Sequence, residues 1–160
     1  MTNKPGLKLS LLSAICLLLL GTASAQEHRV KMKDLPPAVQ KTVQEQTKDA
    51  KILGISKEVE QGKTQYEIET TVNGRTRDLL IDPAGAVLEV EEEITLDSLA
   101  AAVRAEVEKN IGKGKLLRLE SVTKGGTLTG YEASISKAGK KSGIGMGPDG
   151  KLIPQKKKKS

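Results

Sequence analysis

The chain has 160 residues, with 26 Lys and Arg against 20 Asp and Glu for a formal charge of +6, one His, one Cys, two Tyr and neither Trp nor Phe. That is room for one modest domain or two very small ones. So few imidazole, thiol and aromatic groups exclude most metal, thiol and base-stacking sites, and leave carboxylates, hydroxyls, amines and the backbone to carry any chemistry.

Lys4 and Lys8 flank the start of an apolar stretch, Leu9 to Leu20, which gives way to the small residues Ala23-Ser24-Ala25. This pattern is that of a secretory signal peptide over residues 1–25, cut before Gln26. The apolar stretch is too short for a comfortable membrane span, so no transmembrane anchor is expected. Cys16, with Ile15 before it and Leu17 to Leu20 after it, lacks the small-residue context of a lipidation site. The expected mature chain is periplasmic or secreted and contains no cysteine, so burial alone must hold its fold. Its charge is uneven: residues 26–95 carry ten basic and fourteen acidic side chains, residues 96–160 fourteen and six.

From residue 34 onward the chain echoes itself at an offset of 64 to 65 residues. Tyr66-Glu67 returns as Tyr131-Glu132, Asn73-Gly74 falls on Ala138-Gly139, and Pro83-Ala84-Gly85 on Pro148-Asp149-Gly150. Leu35, Val39 and Val43 fall on Leu99, Val103 and Val107, which requires one inserted residue near Gly125-Gly126. In the first unit, Asp34 is the expected N-cap of a helix through Leu35, Val39 and Val43 to about Thr47. Strands are then expected over 51–60, 63–72, 75–82 and 86–93, parted by Gln61-Gly62, Asn73-Gly74 and Pro83-Ala84-Gly85. In the second unit, Asp97 caps a helix to about Asn110, and strands follow over 115–123, 127–137, 140–147 and 151–153.

A two-residue turn at Asn73-Gly74 sets Val72 against Arg75, Ile68 against Leu79 and Tyr66 against Ile81, which gathers apolar side chains on one face. A helix must cover that face. Glu67, Glu69, Thr71 and Asp78 then point the other way, toward water. The expected architecture is α+β: two tandem repeats, each one helix followed by a four-stranded antiparallel sheet, over residues 26–95 and 96–154, with residues 155–160 as a basic disordered tail. Units of this size are marginal alone, so the two should pack together.

The helix opening Leu35-Pro36-Pro37-Ala38-Val39, the Tyr66-Glu67 strand, Asn73-Gly74 and Asp82-Pro83-Ala84-Gly85-Ala86-Val87 resemble the PepSY-like family. More narrowly they resemble its β-lactamase-inhibitor-like members, exported bacterial proteins with tandem repeats of a helix and a four-stranded sheet. The resemblance spans Lys33 to Pro154 and is weaker in the second unit. It rests on turn and core residues, identifies no catalytic residue, and implies inhibition of a peptidase or other enzyme only by analogy.

Candidate binding residues follow from parity. Gly143, Gly145 and Gly147 alternate with Ile144 and Met146, so they bare a backbone stripe on the face away from the core. With Glu67, Glu69, Asp78 and Glu132 they form the expected partner-binding surface. Gly145 to Lys151 also has the spacing of a phosphate-binding loop, but Leu152 and Pro154 stand where a hydroxyl residue and a helix are needed, so a strand entering a turn is the better reading. Tyr66 and Tyr131 share the core face and should be buried. Glu89, Glu91, Glu92 and Glu93 lack calcium-loop spacing and read as a solvated strand end, and His28 reads as exposed. Lys156, Lys157, Lys158 and Lys159 could bind an anionic surface polymer. No cofactor, metal or nucleic acid is expected. With no nucleophile and base paired, the expected function is a non-enzymatic module that binds another envelope or extracellular protein. The alternatives are a small hydrolase built on Glu67 and Glu132, or a polymer binder acting through the basic tail.

Overall fold

The computed structural model describes residues 28–153 except Gln61. The expected signal peptide and the lysine tail lie outside the described residues. In chain order the elements are β1 (His28–Arg29), α1 (Pro37–Gln46), β2 (Lys51–Glu60), β3 (Lys63–Val72), β4 (Arg75–Ile81), β5 (Val87–Glu93), α2 (Ala101–Ile111), β6 (Lys115–Lys124), β7 (Thr127–Lys137) and β8 (Lys140–Met146). His28 is exposed, as expected, but lies in a strand paired to Lys57.

The expected pair of four-stranded sheets is not what forms. All eight strands join one antiparallel sheet in the order β1 to β8, with each strand beside its neighbour in sequence. The joint is β5 against β6, where Glu89 pairs with Lys124, Glu91 with Val122 and Glu93 with Glu120. A strand left at the edge of a small sheet exposes unpaired N–H and C=O groups, and joining β5 to β6 satisfies both edges at once. Among the described residues no full strand follows β8: Leu152 makes a single bridge to Met146.

The hairpin geometry matches the sequence reading. Asn73 and Gly74 have φ of 51° and 82°, the left-handed pair that a twisted two-residue hairpin needs, and Val72 faces Arg75, Ile68 faces Leu79 and Tyr66 faces Ile81. Neither helix starts where expected. Asp34 and Asp97 fall in short 3-10 turns, Met32–Asp34 and Leu96–Ser98, and the N-cap positions are Pro36 and Ala100 without a side-chain cap. Pro37 is pre-set for the first helical position, so the prolines delay α1 to themselves.

Both helices pack on one face of the sheet. Val39 and Val43 of α1 bury against Ile55, Tyr66, Ile68, Leu79 and Ile81, and Val107 and Ile111 of α2 against Leu119, Tyr131, Ala133, Ile135 and Met146. Two turns clamp these helices: a Cβ on Gly85 would stand 2.8 Å from the Ala38 carbonyl oxygen, and one on Gly150 2.8 Å from that of Val103. Strict alternation fails at four places. Register shifts between Ile52 and Gly54, between Leu80 and Ile81 opposite Leu88, between Leu116 and Arg118, and between Val122 and Thr123 opposite Thr129. The first three let apolar residues three apart share the core face: Ile52 with Ile55, Val87 with Val90, Leu116 with Leu119.

Candidate functional site

The sheet face away from the helices is rich in carboxylates. Register carries one line across it from Glu93 on β5 through Glu120 and Glu132 to Gly145 on β8. A second runs from Glu69 through Asp78 and Glu91 to Val122, and a third from Ser56 through Glu67, Leu80 and Glu89 to Lys124.

This face is less wet than its parity implied. Glu67 is 7% exposed, Glu89 7% and Glu120 5%, so the expectation that Glu67 faces open water is overturned, as is the reading of Glu89 to Glu93 as a wholly solvated strand end. The cause is lateral: in a continuous sheet each side chain is walled by neighbours from strands on both sides. Partners answer several of these charges. Arg29 makes a bidentate pair with Glu69 at 2.9 and 3.1 Å, Ser56 Oγ donates to Glu67 at 3.3 Å, and Lys124 Nζ lies 3.0 Å from Glu89.

At the centre, Asp78, Glu91 and Glu120 each bring a carboxylate oxygen to a common spot, all within 4.8 Å of one another. Burial pushes Glu91 up to about 8, reinforced by the negative charges of Glu132, Glu120, Glu89 and Asp78. Burial likewise lifts Glu120 to about 7, against the pull of Arg118 and a Thr76 hydrogen bond and with further push from Asp78 and Glu132. Asp78 is raised by burial although the Thr70 backbone N–H donates to it at 3.2 Å. Arg118 Nε lies 3.1 Å from Glu120 Oε2, close enough for an ion pair but out of line for an N–H hydrogen bond. Its Nη1 donates to the Thr76 hydroxyl at 3.3 Å, and that hydroxyl sits 3.3 Å from Glu93 and 3.4 Å from Glu120.

Chemically, such a cluster offers acceptors to ammonium or guanidinium groups, and its protonated members can donate. Three oxygens are also a partial shell for a hard divalent cation, which takes about six to eight. A cleft of about 550 Å³ opens beside the cluster at the β3–β4 turn, with Thr76 and Glu93 on its wall.

Of the residues expected to bind a partner, Glu67, Glu69, Asp78 and Glu132 share this face with Gly143 and Gly145, which pair with Ser134 and Glu132. A Cβ on Gly145 would meet nothing within 4 Å, whereas one on Gly147 would come within 3.3 Å of Asp149. Glu67 and Glu132 are not brought together: β3 and β7 are four strands apart, about 19 Å at the usual strand spacing. A carboxylate pair for hydrolysis needs about 5 to 10 Å. Glu91 and Glu120, which sequence reasoning did not place in a site, are the residues the fold does assemble with Asp78. The available signal was the run of acidic residues at alternate positions Glu89, Glu91 and Glu93, which places three carboxylates on one face of β5. Tyr66 and Tyr131 are buried in the two cores, as expected.

No protein-family model matches the chain, and no curated protein matches it. Solved structures do match in fold. A BLIP-like protein from Bacteroides fragilis is 19% identical with a TM-score of 0.54, over 76% of this chain and 86% of that one. A DUF2874 family protein from Bacteroides ovatus is 17% identical with a TM-score of 0.58, over 75% and 85%. A protein assigned to the periplasm of Bacteroides eggerthii is 19% identical with a TM-score of 0.61, over 76% and 88%. At this identity the likeness is one of fold. The chain thus shares its fold with a BLIP-like protein, and none of these three neighbours is named PepSY-like. The expected periplasmic or secreted location accords with them, and no described helix is long and apolar enough to cross a membrane.

Proposed function

We propose that the chain is an exported, non-enzymatic binding module, in the manner of the inhibitor-like, PepSY-like proteins, that presents the helix-free face of its sheet to a cationic segment of another envelope protein. The observation that carries this reading is the concentration of carboxylates on that face around Asp78, Glu91 and Glu120. A face five strands wide accepts a protein loop better than a small molecule, which needs an enclosing pocket. Charge complementarity would make the association fast and salt-sensitive. The fold shared with a BLIP-like protein and a protein assigned to the periplasm supports a binding role in that compartment. The wide separation of Glu67 and Glu132 removes the pair on which the hydrolase alternative was built.

The test is capture of partners from envelope extract on the immobilised mature chain, repeated with Gly145→Lys and with residues 156–160 deleted. Gly145 has open space above it, so the added lysine alters the face without disturbing the core. Binding that is lost at high salt and in Gly145→Lys supports the reading. Binding that survives Gly145→Lys but disappears with the tail would assign recognition to Lys156–Lys159 instead.

A further inference from the structure

We propose that the cleft at the β3–β4 turn binds a short zwitterionic peptide, two or three residues long, by its two ends, the carboxylate at Arg75 and the ammonium at Glu92. The cleft exists because two strands part. Register between β4 and β5 ends at Arg77 and Glu92. One residue further, the Thr76 N–H donates to the side-chain Oε2 of Glu93 at 3.1 Å, while β5 stays with β6 through the Ile94 N–H and the Leu119 carbonyl. The gap so opened holds about 550 Å³, within the usual range for a small-molecule site. Val72, Arg75 and Arg77 have the strand parity of the core residues Ile68 and Leu79, Glu92 has that of Val90, and Ile94 packs against the second core. The cleft therefore opens mainly on the helix side, where the two units meet, and apart from the Asp78, Glu91 and Glu120 cluster.

Its walls carry opposite charges: β4 supplies Arg75 and Arg77, β5 supplies Glu92 and Glu93. A simple anion would meet the two carboxylates and a simple cation the two guanidiniums, so a ligand bearing both charges is the better match. Arg77 is already engaged, since its Nη1 donates to the Gln46 carbonyl at 3.0 Å and its Nε lies 3.0 Å from Glu92 Oε1. Arg75, by contrast, is exposed and, among the described residues, makes no side-chain hydrogen bond or ion pair. The Glu92 side chain is 54% exposed, and its second oxygen can accept from an ammonium group. Because Glu92 pairs with Arg77, Arg75 stands diagonal to it. Diagonal neighbours lie about 7–8 Å apart between Cα atoms, and parting strands only widen that distance. Two or three residues at about 3.3–3.6 Å each bridge it, whereas a single amino acid does not. Val72 and Ile94 offer apolar surface to the peptide's side chains. The site is separate from the face assigned to a protein partner and stands or falls independently of that reading.

Titration of the ¹⁵N-labelled mature chain with the dipeptide alanyl-valine, followed through its backbone amide signals, tests the proposal. The same titration is run with the N-acetylated dipeptide, with its C-terminal amide and with free valine. Alanyl-valine should shift the amides of Arg75, Thr76 and Ile94 in a saturable way. Blocking either end, or replacing the dipeptide with valine, should weaken binding about fivefold, the scale of one exposed ion pair. Arg75→Gln and Glu92→Gln should each do the same, and since both side chains are exposed the amide spectrum away from the cleft should not change. Absence of saturable shifts, shifts centred instead on Asp78, Glu91 and Glu120, equal affinity for either blocked peptide, or unchanged affinity in Arg75→Gln would overturn the proposal.

Discussion

Glu91 links a single side chain to the pH response of the whole protein. In the fold it keeps its proton up to about pH 8, whereas an unperturbed carboxyl loses it near 4.5. Its folded pKa is raised, so folding takes up a proton between these values; the contribution is full below pH 4.5 and is lost as pH rises through about 8. Stability should therefore decline from pH 5 to pH 8, with Glu120 adding to the slope up to about 7. Glu91→Gln keeps the shape and discards the charge. It should raise stability at pH 8 by about 1–2 kcal/mol, allowing for solvent screening, and flatten the pH profile in urea titrations. Ile68 sets the opposite case, because it is fully buried beneath α1. Ile68→Ala should cost about 2–5 kcal/mol through lost burial and a residual cavity.

Among elements, the turns separate by what surrounds them. Gly85 and Gly150 have φ of 88° and 78° and also lie against helix carbonyls, while Gly139, at φ 78°, has nothing within 4 Å of where a Cβ would stand. Gly139→Ala should cost about 1 kcal/mol for its left-handed backbone. Gly85→Ala and Gly150→Ala must in addition push α1 or α2 away and should each lower the thermal midpoint further than Gly139→Ala. Ala138 holds φ 50° without the local hydrogen bonding that lets asparagine tolerate it, so Ala138→Asn should stabilise by about 1 kcal/mol. These hairpins were readable in the sequence because a two-residue turn and an alternating strand determine each other locally, as Val72 with Arg75 and Ile68 with Leu79 show. The bulges were not, although the spacing of three in Ile52–Ile55 and Leu116–Leu119 is their mark. Nor was the acidic cluster, since the burial of Glu91 and Glu120 depends on strands joined across the β5–β6 seam, which no turn residue specifies.

For the molecule as a whole, that seam decides whether one or two units unfold. Five strands and α1 surround one core, three strands and α2 the other, and β5–β6 pairing makes the backbone ladder continuous between them. The chain contains two tyrosines and no tryptophan, with Tyr66 in the first core and Tyr131 in the second. Tyr66→Phe and Tyr131→Phe therefore leave one fluorescent reporter in the other core. The two denaturation curves should coincide in midpoint and slope once corrected for the small stability change of each variant. Val122→Pro, which inserts a ring without an N–H into the seam, should pull them apart.

An open eight-stranded sheet has two flanks on which another molecule's strand could settle, and both are poorly suited to it. On one side the described residues of β1 are His28 and Arg29, laid over Ser56 and Lys57 of a longer strand. On the other, β8 opens with Lys140-Lys141, is loosened by Gly143 and Gly145, and is capped by Leu152 at its far end. Charged and glycine-bearing borders resist edge-to-edge pairing into fibrils. A protein of this shape can stay dispersed at high concentration while carrying more than half its described residues as strand, and replacing Lys140 and Lys141 with valine should forfeit that, turning a clear solution into one that seeds thioflavin-positive aggregates.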